Sequence, residues 1–330
     1  MVETTSSAPS AKLKVVVPAG SQFTVVIPLF NKANFIGRAI ASVKLQSSSD
    51  FRAVIIDDGS TDGSGDRALH AIGGDPRFEL IRQDNAGVSS ARNAGVLAAR
   101  TDWVAFLDAD DEWQPGFLAA IADVIDGSAD LTMVSTAYVE DHPTDPVVND
   151  WGYGTNGYVA FDYDFFGLWA SYGGPPVWSS AVAVRRDAIL STGGFPVGIS
   201  LGEDILCWMA LLNTGRRAFI ARLLATSHGD DSGSLTRAPS PRSVASHQHL
   251  VDAVARLEHP AAAAVRKHVN TSHCYMLMRT GDSSLLLRHL RTHFASVPLR
   301  TWIRSLLFAI GAERQRLFSR RPKAAPNRNA

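Results

Sequence analysis

From Phe23 to about Ile125 two hydrophobic patterns take turns along the chain. FTVVIPLF (23–30), RAVIIDDG (52–59), FELIRQD (78–84) and WVAFLDAD (103–110) are runs of adjacent apolar residues that end in polar ones. Between them lie AIASVKLQ (39–46), a short helix after the polar turn that follows Gly59, and the Ala-rich VSSARNAGVLAAR (88–100), with apolar positions at helical spacing. Continuous apolar strands need cover on both faces, so alternation with helices predicts a parallel sheet flanked by helices. Ligands bind such sheets beyond the carboxyl ends of the strands. Those ends carry Asn31, Asp57, Asp58, Asp84, Asp108 and Asp110, so the acids are expected to converge on one crevice.

Beyond Leu131 the pattern loosens. Aromatic and Gly-rich stretches surround an expected strand, SSAVAVRR (179–186). GEDILCWMALLNTG (202–215) predicts a helix with an acidic start and Gly215 as its stop. After Pro239 and Pro241 the pieces HLVDAVARL, AAAAVRKHV, SSLLLRHLRTHF and TWIRSLLFAI all have the 3.6-residue period. The expected organisation is a flexible segment over 1–22, an α/β unit over 23–235 with halves 23–125 and 126–235, and a helical region over 236–330. The basic tail RRPKAAPNRNA is read as disordered.

Composition narrows the class. The 330 residues are 45% hydrophobic and 19% charged, as in a globular protein. Basic and acidic residues balance at 32 each, so nothing points to nucleic acid. Cys207 and Cys274 lack metal-type spacing and suggest neither a disulfide framework nor an oxidising compartment. The first residues lack the apolar core of a secretory signal, and no apolar run approaches the ~18 residues of a spanning helix. A cytoplasmic protein is expected. From Arg300 onward, however, eight Lys/Arg face one acid, Glu313. Trp302, Ile303, Leu306, Leu307 and Ile310 fall along one stripe there, the composition either of a helix that touches an anionic membrane surface from its inner face or of a helix packed on the α/β unit with a solvated tail.

The chemistry concentrates in WVAFLDADDEW (103–113), where a buried strand delivers Asp108, Asp110, Asp111 and Glu112 to one place. Clustered carboxylates repel, so a cation should accompany them. Asp108-Ala109-Asp110 offers the oxygen ligands that Mg²⁺ or Mn²⁺ takes together with substrate phosphates. The plainer reading is a solvated turn whose acids favour the next helix. A second acid pair at another strand end, Asp57-Asp58 in IIDDGSTDGSG, favours the site. No GxGxxG spacing is present, and acids ahead of the glycines would repel a pyrophosphate. An ionised Asp accepts an N–H instead, such as N3–H of uracil, or caps the turn that follows.

VVIPLFN, VIIDDGSTDGS, NAGVSSARNAG, WVAFLDADD and GEDILCW together resemble glycosyltransferase family 2 in order and spacing, over about residues 23–235. The resemblance implies the GT-A fold, a Rossmann-like mostly parallel sheet flanked by helices, here followed by a helical C-terminal region. It also implies a nucleotide-sugar donor, a UDP-sugar above all, a Mn²⁺ or Mg²⁺ ion, and inversion at the anomeric carbon. Pro28, Phe30, Asp58 and Arg92 would line the nucleoside pocket, with Asn31 and Asp57 beside them. Asp108, Ala109 and Asp110 would meet ribose and metal, and Asp204 would be the base. Glu203 would orient the acceptor. His228 would contact diphosphate or metal, or serve no role; Trp178 would stack on a sugar, or belong to the core.

Phe30 stands where the family often has Tyr, which keeps stacking but loses a hydroxyl. The Gln-x-x-Arg-Trp motif and spanning helices of processive synthases are absent, so one sugar is expected per encounter, added to a glycan or lipid-linked acceptor. His289 and His293, four apart among arginines, are read as a solvated face. Two rivals share some features. A receiver domain clusters acids similarly but leaves GEDILCW unexplained; a sugar-nucleotide pyrophosphorylase would open with a Gly-rich, basic loop where this chain has PLFNKANF.

Overall fold

The computed structural model describes residues 22–141, 146–228 and 239–319, with side chains to residue 311. The expected N-terminal flexibility, the disordered tail and the boundary at 235 therefore lie outside the described residues. The first half is the alternating unit: β1 (Phe23–Leu29), α1 (Ile36–Lys44), β2 (Phe51–Asp57), α2 (Ser64–Ile72), β3 (Phe78–Arg82), α3 (Val88–Ala98) and β4 (Trp103–Phe106). All seven residues of β1 and of β2 are buried. At about 1.5–3 kcal/mol for each large aliphatic side chain removed from water, that burial commits both strands to the middle of the sheet. Helix α3 crosses β1 closely: a Cβ on Gly95 would collide with Val26.

The chain continues through β5 (Glu112–Trp113), α4 (Phe117–Asp126), β6 (Leu131–Asp141), β7 (Val147–Asn149), β8 (Val159–Phe161), α5 (Phe165–Tyr172), a 3₁₀ turn (Ser179–Ala181), β9 (Val182–Arg185), α6 (Arg186–Ser191), α7 (Glu203–Leu211) and β10 (Arg216–His228). The sheet order is β3-β2-β1-β4-β9-β6-β10-β5. β3, β2, β1 and β4 run parallel. β9 is antiparallel to both β4 and β6, and β5 runs back along the end of β10. Two expectations shift. The strand expected over 179–186 begins only at Val182, because Ser179–Ala181 form the 3₁₀ turn. Helix α7 ends at Leu211, short of Gly215, whose lack of a side chain admits Thr132 and the carbonyl of Asp130.

Helices α8 (Pro241–Ala255), α9 (Ala262–Thr280), α10 (Ser283–Thr292) and α11 (Leu299–Ser319) complete the chain. Ser240 caps α8 reciprocally with Ser243, and Pro241 occupies the first turn, where its missing N–H costs nothing. Leu250, Val251, Val254, Val265 and Val269 join the main core, so α8 and α9 are built onto the α/β unit. A second core gathers Val244, Cys274, Leu277, Leu286, Leu290 and Val297. Both cysteines are buried free thiols.

The expected stripe on α11 divides. Trp302 packs against the second core, whereas Ile303, Leu307 and Ile310 are exposed together with Leu299. Among the described residues no helix is long and apolar enough to cross a membrane. The solvated face expected at His289 and His293 is corrected: His289 is only 5% exposed. The rings of His247, His273, His289 and His293 form a column with centroid separations of 5.3, 4.6 and 4.6 Å. Packing of α10 onto α9 turns the polar-looking positions inward.

Candidate active site

The strand ends open into a cleft of about 1010 Å³. The parallel register sets Leu29 beside Asp57, and the N–H of Asp58 donates to the Leu29 carbonyl (2.8 Å), so the ends of β1 and β2 are level. Adjacent strand residues point to opposite faces, which separates the two acids. Asp57 turns away from the cleft, accepting from the Ser60 N–H (3.0 Å) with Arg82 at 3.6 Å. Asp58 faces the cleft and is 2% exposed. Its carboxylate accepts from Gln83 Nε2 (2.7 Å), the Ala86 N–H (2.9 Å) and the Gly87 N–H (2.8 Å). One acid thus shapes the loop that leads into α3.

From α3, Arg92 reaches across the floor, 4% exposed. It donates to Asp108 Oδ1 (2.8 Å) and Glu203 Oε1 (2.9 Å). Burial alone would lower its pKa, but Asp108, Glu203 and Asp204 outweigh that and hold the guanidinium charged. This clamp joins the end of β4 to the start of α7.

The acids after β4 sit in a tight turn, with the Asp111 N–H donating to the Asp108 carbonyl (3.1 Å). Asp110 pairs with Lys32 Nζ (2.8 Å), and Arg38 donates to its carbonyl oxygen (2.6 Å). Asp111 is buried behind them and accepts from Ser180 Oγ (2.6 Å). Burial first, then the charges of Asp108 and Asp110, push its pKa well above the carboxylate range. Asp108 and Asp110 keep about a quarter of their side-chain surface exposed, 26% and 24%. Two hard oxygen donors in surplus negative charge fit Mg²⁺ or Mn²⁺ completed by substrate phosphates. Among the described residues, no group of three or more His, Cys, Asp and Glu forms a complete metal cage.

Across the cleft, α7 begins with Glu203 and Asp204. Glu203 is engaged by Arg92; burial and then Asp204 raise its pKa to about 7, with Arg92 opposing. Asp204 accepts from Ser179 Oγ (3.3 Å) and the Ile205 N–H (2.8 Å), and burial raises its pKa too. Trp178 is half-buried against Tyr138 (4.6 Å between rings) and still lines the cleft.

Of the residues expected at the site, Pro28, Phe30, Asp58, Arg92, Asp108, Ala109, Asp110, Trp178, Glu203 and Asp204 line this one cleft. Asn31, Asp57 and His228 do not. Asn31 accepts from the Thr61 N–H (2.9 Å), tying the two strand-end loops together. His228 lies at the end of β10 between Glu112 (3.6 Å) and Asp141 (3.5 Å). Sequence reasoning missed the other wall, to which α8 and α9 contribute Arg242, His247, Tyr275 and Arg279. No short motif marks those positions, because they meet the cleft only through the packing of α8.

A mostly parallel sheet with flanking helices, acids at its carboxyl edge and an acidic helix start opposite define the GT-A class of glycosyltransferases. Solved structures of that class superpose on nearly the whole chain. Staphylococcus aureus TarS 1–349 in complex with UDP-GlcNAc matches with TM-score 0.62 at 14% identity, covering 92% of this chain and 95% of TarS. The mannosyltransferase PcManGT of Pyrobaculum calidifontis, in complex with GDP-Man and Mn²⁺, matches with TM-score 0.57 at 17% identity, covering 91% and 88%. The chain belongs to glycosyl transferase family 2, whose sequence model matches residues 24–188. An uncharacterised glycosyltransferase of Nostoc sp. is 44% identical over 108 residues, 32% of this chain and 34% of that protein. Succinoglycan biosynthesis protein ExoO of Rhizobium meliloti is 41% identical over 106 residues, 32% and 30%. These matches span about a third of each relative's length.

Proposed function

We propose that this glycosyltransferase moves one sugar from a nucleoside-diphosphate sugar, a UDP-sugar by preference, to a hydroxyl of a glycan or lipid-linked acceptor in surface polysaccharide assembly. The observation that carries the reading is the division of labour at α7. Arg92 engages Glu203 and leaves Asp204 facing the cleft with, among the described residues, only a hydroxyl and a local N–H as hydrogen-bond partners.

In the proposed reaction Asp204 accepts the acceptor's hydroxyl proton, that oxygen bonds to the anomeric carbon, and the bond to the diphosphate breaks. Attack opposite the leaving group inverts the configuration. Burial suits Asp204 to the task, since a raised pKa makes a stronger base than a solvated aspartate. Arg92 keeps Glu203 in place, and Asp58 holds the loop against which the base would lie. A carboxylate oxygen has more than one lone pair, so Asp58 retains acceptor capacity for a uracil N3–H. Mg²⁺ or Mn²⁺ bound by Asp108 and Asp110 with the donor's phosphates would supply the charge that makes the diphosphate a leaving group.

The exposed Leu299, Ile303, Leu307 and Ile310 of α11, next to a basic C-terminal sequence, support peripheral contact with an anionic membrane face, which suits a lipid-linked acceptor. A panel of nucleotide-sugars incubated with Mn²⁺ tests the central reading. Slow release of the nucleoside diphosphate is expected, fastest from a UDP-sugar; no release from any member of the panel would refute it.

A further inference from the structure

From the charges of the cleft we infer that the acceptor carries an acidic group, phosphate or carboxylate, and that Arg242 and Arg279 receive it. The inference rests on the glycosyltransfer reading and names the substrate class on its acceptor side.

The acids that line the cleft, Asp58, Asp108, Asp110, Glu203 and Asp204, all come from the α/β unit. So do two of its cations, and both are committed: Arg92 to Asp108 and Glu203, Lys32 to Asp110. The wall built from α8 and α9 contributes no carboxylate. It contributes Arg242 and Arg279, both exposed, neither paired with a carboxylate among the described residues. A neutral sugar would need no such pair. A guanidinium fork, by contrast, matches phosphate and carboxylate oxygens in geometry and charge.

Contacts of α8 set Arg242 beside the acceptor side, and Arg279 lines the same cleft from α9. The Ser200 N–H donates to Ser246 Oγ (3.1 Å), and a Cβ on Gly202 would rest on Leu250 at 3.4 Å. Thus α8 is bound to the loop that runs directly into Glu203 and Asp204. The acceptor hydroxyl must approach Asp204, so the rest of the acceptor extends along this wall. The strand-end loops across the cleft are left to the nucleotide. Tyr275, exposed on α9 and lining the same cleft, offers an aromatic face for a sugar ring.

The test titrates glucose 1-phosphate, glucuronate and methyl glucoside into the full chain preloaded with UDP and Mn²⁺, which fills the nucleotide side. Wild type and the Arg242→Gln/Arg279→Gln double variant are compared; both positions are exposed, so folding should survive. At least one anionic probe is expected to bind about tenfold or more tightly than methyl glucoside, and that preference should vanish in the double variant. Whichever anion binds more tightly identifies phosphate or carboxylate as the natural group. Equal affinity for all three probes in wild type overturns the inference, and so does a preference that survives in the variant. Weaker UDP binding by the variant would give the arginines to the donor's diphosphate, also overturning it. Failure of wild type to bind UDP at all would overturn the UDP-sugar reading on which the inference rests, and the inference with it.

Discussion

Asp204→Asn keeps the size of the proposed base and can still accept from the Ile205 N–H, with Ser179 Oγ turning to accept from the new amide, but it cannot take a proton. Transfer should fall at least about a hundredfold while UDP affinity and the unfolding midpoint stay near wild type. Glu203→Gln should lose less, because it still reaches Arg92; a dead Glu203→Gln beside an active Asp204→Asn would reverse the two roles. Asp58→Asn is expected to behave differently. It turns one of the acceptor oxygens facing Gln83, Ala86 and Gly87 into a donor, so the loop into α3 loses its anchor. A stability loss of about 1–3 kcal/mol in urea, accompanied by loss of UDP binding, should follow; unchanged urea unfolding would mean that the loop stands without it. At this scale most of the residues that the sequence singles out line one cleft, because they sit at strand ends on one sheet edge or at the start of α7. The resemblance names Asp58 rather than Asp57 for the pocket, and Asp58 is the one that lines the cleft; strand alternation alone separates the two without saying which way each points. Asn31 and His228 also sit at strand ends but do not line the cleft: Asn31 holds the loop after β2, and His228 lies between Glu112 of β5 and Asp141 of β6.

Elements whose burial is uniform announced themselves, and those with mixed burial did not. β1, β2 and β4 are buried throughout and mostly apolar, Thr24, Arg52 and Asp57 being the exceptions. β6, LTMVSTAYVED, and β10, RRAFIARLLATSH, mix polar with apolar residues over 11 and 13 positions and escaped notice. α3 was legible, but its closeness to β1 was not. Gly95→Val should force the two apart and destabilise by about 1–3 kcal/mol, measured by chemical unfolding. The histidine column was misread because arginines flank it in sequence while its imidazoles turn inward. Burial lowers His247, His273 and His289 to about 4, 3 and 4, with the neighbouring histidines adding to it at His273 and His289. Asp252 acts in the other direction only at His293, and the Asn270 backbone at His289. A histidine whose folded pKa lies below its unfolded value of about 6.5 favours the folded state above that value. Thermal stability should therefore decline as pH falls from about 6.5 towards 4, and His273→Asn should flatten that decline. An equally steep decline in the variant would place its origin elsewhere.

For the whole molecule, α8 and α9 share the main core of the α/β unit, and the cleft lies where they meet it. Sequence reasoning divided the chain near residue 235 and named site residues in the first part alone, leaving donor-sugar and acceptor contacts to residues 131–235 and the helical region without a readable motif. The second wall depends on α8 docking through Ser246 and Leu250, contacts with no local signature. Association with vesicles of anionic lipid is expected at low salt and should weaken when Ile303 and Leu307 are both replaced by Asp; sedimentation unaffected by that change would exclude α11 as the contact. The central claim is that the acids at the strand ends bind a nucleoside diphosphate together with a divalent cation. It is tested most directly by calorimetric titration of UDP into the full chain, with Mn²⁺ and again in EDTA. The account predicts saturable binding with Mn²⁺ that is lost on chelation; binding just as tight in EDTA, or no binding with Mn²⁺ present, would contradict it.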